Sequence, residues 1–376
     1  MKLLFISHDA TLTGAPILLL NLIRIIKIDA RYSIKIVLKN EEGSLIPDFK
    51  KEADLLVWRP SFRPGVFDRA MHKAGRLLKL RTANEKMIQT WIDDSDCIIS
   101  NTITNGDFLA CFDFSKNKKV FSYVHELEMA THWYTNKKDI EAVKAVTRHY
   151  LAPSAAVAGH LTGNLQIPPD NISILNYYIP FAGDEPGTGK KNTKFVVGLV
   201  GTLDWRKGAE ILTVVVSSLF KKNQAADLQF VWKGADTNSI DCERIVYELH
   251  KMGLGNKVRF EPPDKNVAPF YQSIDLLLLL SKEDPYPLVV LEAAGNYKPC
   301  ICFDKAGGAP EFVGADAGEV IPYLDIELLT EKLLLYYTDR ERCIQKGKAA
   351  HEKYLAKHFN LALIMSQFNS ALAKQS

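Results

Sequence analysis

One feature constrains the fold of this chain more than any other. Short apolar runs, each followed by a helical or loop segment, recur along the sequence, stop once, and start again. In the first half the runs are 3–7, 33–38, 55–58, 97–100, 120–124, 150–152 and 172–175. A polar stretch rich in Gly, Pro and charge, 183–193, then breaks the rhythm and reads as a linker. Runs at 195–200, 228–232, 258–260, 276–280, 300–303 and 320–321 resume it, and the pattern from 326 onward predicts two or three terminal helices. Strands alternating with helices predict parallel sheets covered on both faces. The chain therefore reads as α/β, with two doubly wound parallel-sheet domains and a ligand site at the carboxyl ends of the strands, in the cleft between them.

Composition supports two such cores. The chain has 376 residues, too many for one ordinary core; 47% are apolar and 24% charged. A net charge of +3 gives no reason to expect a nucleic-acid partner. Six scattered cysteines without a CxxC pair predict reduced, mostly buried thiols rather than disulfides or a metal site. The longest apolar run, 274–280, is far short of a membrane span, and no charged leader precedes the first strand. The expectation is a soluble, cytoplasmic protein.

The most informative segment is 281–311, SKEDPYPLVVLEAAGNYKPCICFDKAGGAPE. A very apolar strand ends, acids and two prolines follow, and a helix opens near Leu288. Asp284 precedes that helix, and Glu292 stands about one turn inside it. Two carboxylates so placed accept hydrogen bonds from different hydroxyls of one ligand, while the free N–H groups of the helix receive an anion. An acidic cap plus one solvated Glu is the plainer alternative. A second stretch, Val200-Gly201-Thr202-Leu203-Asp204-Trp205-Arg206-Lys207-Gly208, follows the first strand of the second half and is expected to open a helix. There, Arg206 and Lys207 are either a phosphate grip or a solvated pair at a turn.

These segments resemble the family 4 retaining glycosyltransferases of GT-B fold, whose E-x7-E pattern appears as Asp284-x7-Glu292, followed by Gly307-Gly308-Ala309-Pro310-Glu311. The resemblance implies two Rossmann-like domains, 1–182 and 194–355, with the 183–193 linker between them and a C-terminal helix at 356–376 that packs back toward the first. It implies that Glu292 holds the nucleotide ribose and that the first acid touches the transferred sugar. Asp284 stands where the family has Glu and Glu283 lies one position early, so both acids remain candidates for the sugar. Lys207 and Gly208 match the family's diphosphate-gripping loop, whereas Thr202 occupies the position of its Arg, and Arg206 is the substitute charge. The loop 261–264 falls where the family holds the base. The donor-binding set implied is Gly14, Thr202, Arg206, Lys207, Glu283, Tyr286, Leu288, Val289 and Glu292, with His125 and Asp284 as catalytic residues.

In the first half, Thr13 is placed to cap a helix with Pro16 in its first turn, and Gly14 permits close backbone approach to a ligand. His125 ends a strand in YVHEL, and the resemblance places it at the sugar. Tyr177 replaces a family Gly after Leu175-Asn176, which assigns that station a structural or hinge role. The basic stretch 69–81 is a solvated face or a peripheral contact with the inner face of a membrane. The acidic run Asp93-Asp94-Ser95-Asp96 reads as a solvated loop rather than a metal site.

The function implied is transfer from a nucleoside diphosphate sugar to a saccharide or lipid-linked saccharide acceptor, with retention and without metal or further cofactor, in bacterial polysaccharide or glycolipid synthesis. A nucleotide-sugar epimerase and a non-catalytic sugar-nucleotide-binding protein are the alternatives.

Overall fold

The computed structural model describes residues 1–60, 81–116, 119–180, 194–264 and 266–374. The linker 183–193 and all of 69–81 except Arg81 lie outside the described residues. The chain forms two compact units, Met1–Tyr178 with Leu361–Ser376, and Ile179–Asn360.

The first unit is built on seven parallel strands: β1 (Lys2–Ser7), β2 (Ser33–Asn40), β3 (Asp54–Arg59), β4 (Cys97–Asn101), β5 (Lys119–Tyr123), β6 (His149–Ala152) and β7 (Ile172–Ile174). Their order across the sheet is β3-β2-β1-β4-β5-β6-β7. The second unit has β8 (Phe195–Val200), β9 (Leu228–Lys233), β10 (Val258–Glu261), β11 (Leu276–Leu279), β12 (Cys300–Phe303) and β13 (Gly318–Ile321), ordered β10-β9-β8-β11-β12-β13. Central strands such as β4, β11 and β12 are buried along their whole length, which is why they read as unbroken apolar runs rather than alternating ones. Val124, Leu175 and Leu280 fall just outside the strands expected to include them. Val124 and Leu175 still continue the ladder, donating to Leu151 O and Ala152 O.

Helix caps follow local chemistry in several places. Thr82 and Glu85 form a reciprocal capping box at the start of the helix Ala83–Asp94, and Ser154 and Ser239 cap the helices Ala155–Gly163 and Ile240–Lys251. Thr13 does not: it occupies the cap position of the helix Gly14–Lys27 with extended backbone, but its hydroxyl pairs with that of Thr11 at 2.9 Å instead of a helix N–H. The acids 93–96 serve as anchors. Asp94 pairs with Lys2 at 2.6 Å, Asp96 accepts the Lys2 N–H at 2.7 Å, and Asp93 pairs with Lys116.

The last helix, Leu361–Ala373, belongs to the first unit, where Asn176 and Gln367 exchange two hydrogen bonds and the Tyr32 hydroxyl donates to Asn369. Ile179 belongs to the second, donating its N–H to His358 O and accepting from the Tyr354 hydroxyl. The units therefore part at Tyr178/Ile179 rather than at 182, and the return falls at 360/361 rather than at 356.

At the carboxyl ends of β4 and β5 the chain is clasped by a buried acid. Thr102 takes a positive φ of 81°, costly for a β-branched residue. Its N–H donates to Tyr123 O, and the next N–H, of Ile103, donates to Glu126 Oε2 at 3.2 Å. The same oxygen accepts the His125 N–H at 2.9 Å. Burial pushes the Glu126 carboxyl from its ordinary 4.5 up to about 7. Between those values the unfolded chain releases a proton that the folded chain retains, so stability falls as pH rises from 4.5 to about 7. Glu126→Gln keeps an oxygen for the two N–H groups and removes that loss. The Tm of the variant relative to the parent is expected to rise by roughly 2–6 °C between about pH 5 and about pH 8. A difference independent of pH would show that the clasp ionises as an ordinary carboxylate.

Candidate functional site

In the second unit, β8 and β11 are neighbours, and the loops after them meet. The loop after β8 is a run of turns, not the start of a helix as expected; the helix begins at Ile211. Asp204 organises the turns, accepting the Thr202 hydroxyl at 2.5 Å and the Lys207 N–H at 2.9 Å. Gly208 then takes φ +73°, and a Cβ there would lie 2.1 Å from Leu280 O, so only glycine lets the two loops approach. Thr202 thus shapes the turn in the position where the family resemblance calls for a cation.

Three ties join this loop to 281–284. Lys282 N–H donates to Arg206 O at 2.8 Å, Arg206 donates to Glu283 O at 3.2 Å, and Lys207 Nζ meets Asp284 Oδ2 at 2.5 Å. The Arg206 guanidinium also lies 3.7 Å from Asp284 Oδ2. Lys282 pairs with Glu210 and lies over the Trp205 ring. Asp284 is 6% exposed and held through its backbone as well. Its N–H donates to Ala306 O, its carbonyl accepts from Gly308, and it bridges to Gly307. Gly307 has φ +121° and passes so close to Asp284 O that a Cβ would overlap it at 1.8 Å. Of the two acids offered for the sugar, Asp284 pairs its carboxylate with Lys207 and Arg206, and Glu283 contributes its carbonyl to Arg206.

The helix Leu288–Gly295 starts directly after this loop. Pro287 at its cap supplies no side-chain bond to the first-turn N–H groups of Leu288 and Val289. One turn in, Glu292 accepts the Tyr271 hydroxyl at 2.6 Å. Burial pushes the Glu292 carboxyl up, against the pull of the Tyr271 hydrogen bond and the Lys207 charge. Tyr286, expected among the donor contacts, is turned inward instead: it is buried, and its hydroxyl pairs with His358 Nε2 at 3.0 Å. At the end of β10, Glu261 O accepts the N–H groups of Gly234 and Ala235.

His125 and Gly14 belong to the first unit. His125 follows β5, and its ring makes two hydrogen bonds: Nε2 to Asn101 Oδ1 at 2.7 Å and Nδ1 to the Tyr177 hydroxyl at 2.8 Å. The Tyr123 ring lies tilted beside it with centroids 4.3 Å apart, its own hydroxyl donating to Leu175 O. Burial, with His8 adding to it, pushes the His125 imidazole down to about 3. Asn101 Nδ2 donates to Ala15 O, which links His125 to the first turn that begins at Gly14.

Sequence reasoning missed Asn101 and Tyr271 and gave Tyr177 no part beside His125. Asn101 had a signal, a polar residue at the carboxyl end of a buried strand; Tyr271, on the short helix Ala268–Ser273, had none. Cys97, Cys242, Cys300, Cys302 and Cys343 are free and buried, and Cys111 is exposed. Among the described residues, no cluster of three His, Cys, Asp or Glu side chains is placed to hold a metal ion, and no helix is long and apolar enough to cross a membrane.

Residues 183–353 match the family described as Glycosyl transferases group 1. A D-inositol 3-phosphate glycosyltransferase of Corynebacterium efficiens is 25% identical over 218 residues, covering 54% of this chain and 50% of that protein. An N-acetyl-alpha-D-glucosaminyl L-malate synthase of Bacillus anthracis is 27% identical over 157 residues, 42% of this chain and 40% of that protein. The chain thus spans half or less of the length of these relatives. Among solved structures, Anabaena HepE in complex with UDP-glucose superposes with a TM-score of 0.78 at 16% identity, covering 99% of each chain. The lipopolysaccharide outer core galactosyltransferase WaaB gives 0.74 at 16% identity, covering 100% of both. These likenesses are of fold, the GT-B pair of parallel-sheet units. Through residues 183–353 the chain is similar to the glycosyl transferases of group 1.

Proposed function

We propose that this chain transfers a sugar from a nucleoside diphosphate sugar to an acceptor hydroxyl, with retention of configuration at the anomeric carbon. The observation that carries the reading is the meeting of Lys207, Arg206 and Asp284 beside an uncapped helix start, with Glu292 one turn further in. Cleaving the anomeric bond leaves negative charge on the diphosphate, and cations and helix N–H groups already in place stabilise that charge as it develops. Lys207 has three donors, so it serves the phosphate without releasing Asp284 entirely. Asp284 then faces the sugar and Glu292 the ribose hydroxyls, whose hydrogen bonds favour its ionised form. The leaving phosphate accepts the proton of the acceptor hydroxyl on the same face, so no separate nucleophile or metal is invoked. HepE, solved with UDP and glucose, supports a nucleotide-sugar donor by analogy of fold. The acceptor class is a saccharide or lipid-linked saccharide, in polysaccharide or glycolipid synthesis at the cytoplasmic side of a membrane.

A thermal-shift panel of nucleoside diphosphate sugars tests the reading, since a bound donor raises apparent stability. No shift with any donor at millimolar concentration would sink it. Lys207→Ala should weaken donor binding by about 1.5–3 kcal/mol, a roughly ten- to hundredfold loss of affinity in calorimetry. Unchanged affinity would remove Lys207 from the site. Glu292→Gln should weaken binding of the free nucleoside diphosphate. Asp284→Asn should leave that binding intact or tighten it, because Lys207 loses its competing carboxylate, yet weaken binding of the sugar-bearing donor. Equal losses of nucleoside diphosphate affinity in both variants would refute this division.

A further inference from the structure

We infer that Asn101 and Tyr177 are positioning residues that lock His125 as a neutral imidazole carrying its proton on Nε2. The lock starts from a backbone carbonyl. Ala15 O accepts a hydrogen bond at 3.0 Å from Asn101, so the amide nitrogen must face it and the amide oxygen must face His125. That oxygen is 2.7 Å from Nε2, and an acceptor at this distance requires an N–H. Turning the amide over would set its oxygen against the Ala15 carbonyl, two acceptors face to face. In a neutral ring Nδ1 is then the bare nitrogen, and the Tyr177 hydroxyl donates to it at 2.8 Å. Tyr177 is 3% exposed, and its ring lies 5.6 Å from that of His125 and 6.1 Å from that of Tyr123.

The groups around the imidazole favour the neutral form. Burial pushes the ring down to about 3, and any charge on His8, from the loop after β1, acts in the same direction. Glu126 spends its carboxylate on backbone N–H groups, one of them that of His125 itself. Asn101, Tyr123 and Tyr177 are uncharged at neutral pH.

It follows that His125 has neither a free lone pair nor an unassigned proton, so it is not an acid or base in the transfer. Its contribution is placement. One chain of hydrogen bonds runs from Ala15 through Asn101 and His125 to Tyr177, the residue before the last of the first unit's main segment. It sets the ring edge of His125 and the Gly14–Ala15 backbone in one fixed relation. This step rests on the reading that His125 lies at the site of transfer.

The test uses the full chain with 15N-labelled histidine, read by two-bond proton–nitrogen NMR from about pH 5 to about pH 8, a range spanning the ordinary imidazole pKa. The His125 signals are identified by their absence in His125→Gln. The expected result is an Nε2–H tautomer throughout, without titration. An Nδ1–H tautomer, or titration near 6.5, would overturn the lock. Tyr177→Phe keeps the ring packing and removes only the donor; kcat should fall about tenfold, with the donor KM within about twofold of the parent. A parental kcat, or a KM that moves with it, would deny Tyr177 a positioning role. The tautomer is read without any substrate, so the two readings fail separately. The expected tautomer with no donor binding overturns the proposed function and leaves the lock standing; transfer with a titrating His125 does the reverse.

Discussion

The second unit is organised around the ion pair between Lys207 and Asp284. The two residues follow adjacent parallel strands, β8 and β11, whose carboxyl ends lie on the same edge of the sheet. Their side chains are 14% and 8% exposed, so little water helps to solvate either charge. A pair so nearly buried is weak evidence of stability, because desolvation offsets the attraction. It is better evidence of placement. Each partner holds the other at a fixed point, and the backbone of Asp284 is fixed again by Ala306, Gly307 and Gly308 beyond β12. Three strand ends therefore converge on one residue, Asp284. Charges held in this way need little reorganisation when a ligand arrives, the condition under which electrostatics contributes most to catalysis.

The first unit handles its strand ends with different chemistry. Its central group is a neutral network: an amide, an imidazole and a phenol, joined by hydrogen bonds and packed against Tyr123. The buried acid Glu126 is spent on main-chain N–H groups and is pushed toward its protonated form. The unit thus presents shape and hydrogen-bond direction, whereas the cations assigned to the diphosphate, Lys207 and Arg206, belong to the second. Polar networks in low dielectric keep a single arrangement only when every member is satisfied. Asn101 illustrates this, using its nitrogen and its oxygen on different partners.

How much of this could be read from the sequence depended on the range of the interaction that decided each feature. The strands were legible because burial on both faces leaves an apolar run whatever the tertiary context. The Asp284–Glu292 spacing was legible because the strand end, the prolines and the helix lie within one segment. The turns at 201–208 were misread as a helix start, since the deciding facts, the Asp204 acceptor and the close passage of Gly208 by Leu280 O, are tertiary or sub-helical. Thr13 has the right type and backbone for a cap, but Thr11, two residues away, competes for its hydroxyl. Tyr271 gave no signal, because its partner, Glu292, is on another helix.

Tyr286 shows why an aromatic residue in such a loop need not face the ligand. Pro285 and Pro287 restrict the residues before them, Asp284 and Tyr286, to extended backbone. For Asp284 that is the conformation a parallel bridge to Gly307 requires. Tyr286 itself points into the protein, where it is buried. A buried phenol needs a partner, and His358, at the end of the helix Arg340–Lys357, provides it. His358 in turn accepts the N–H of Ile179, the first residue of this unit, and Tyr354 donates to the carbonyl of the same residue. The loop that carries Asp284 is therefore tied by a short series of hydrogen bonds to the point where the chain enters the unit. An aromatic ring with a hydroxyl fits that position because it fills the space under the loop and also satisfies a histidine that is otherwise cut off from water.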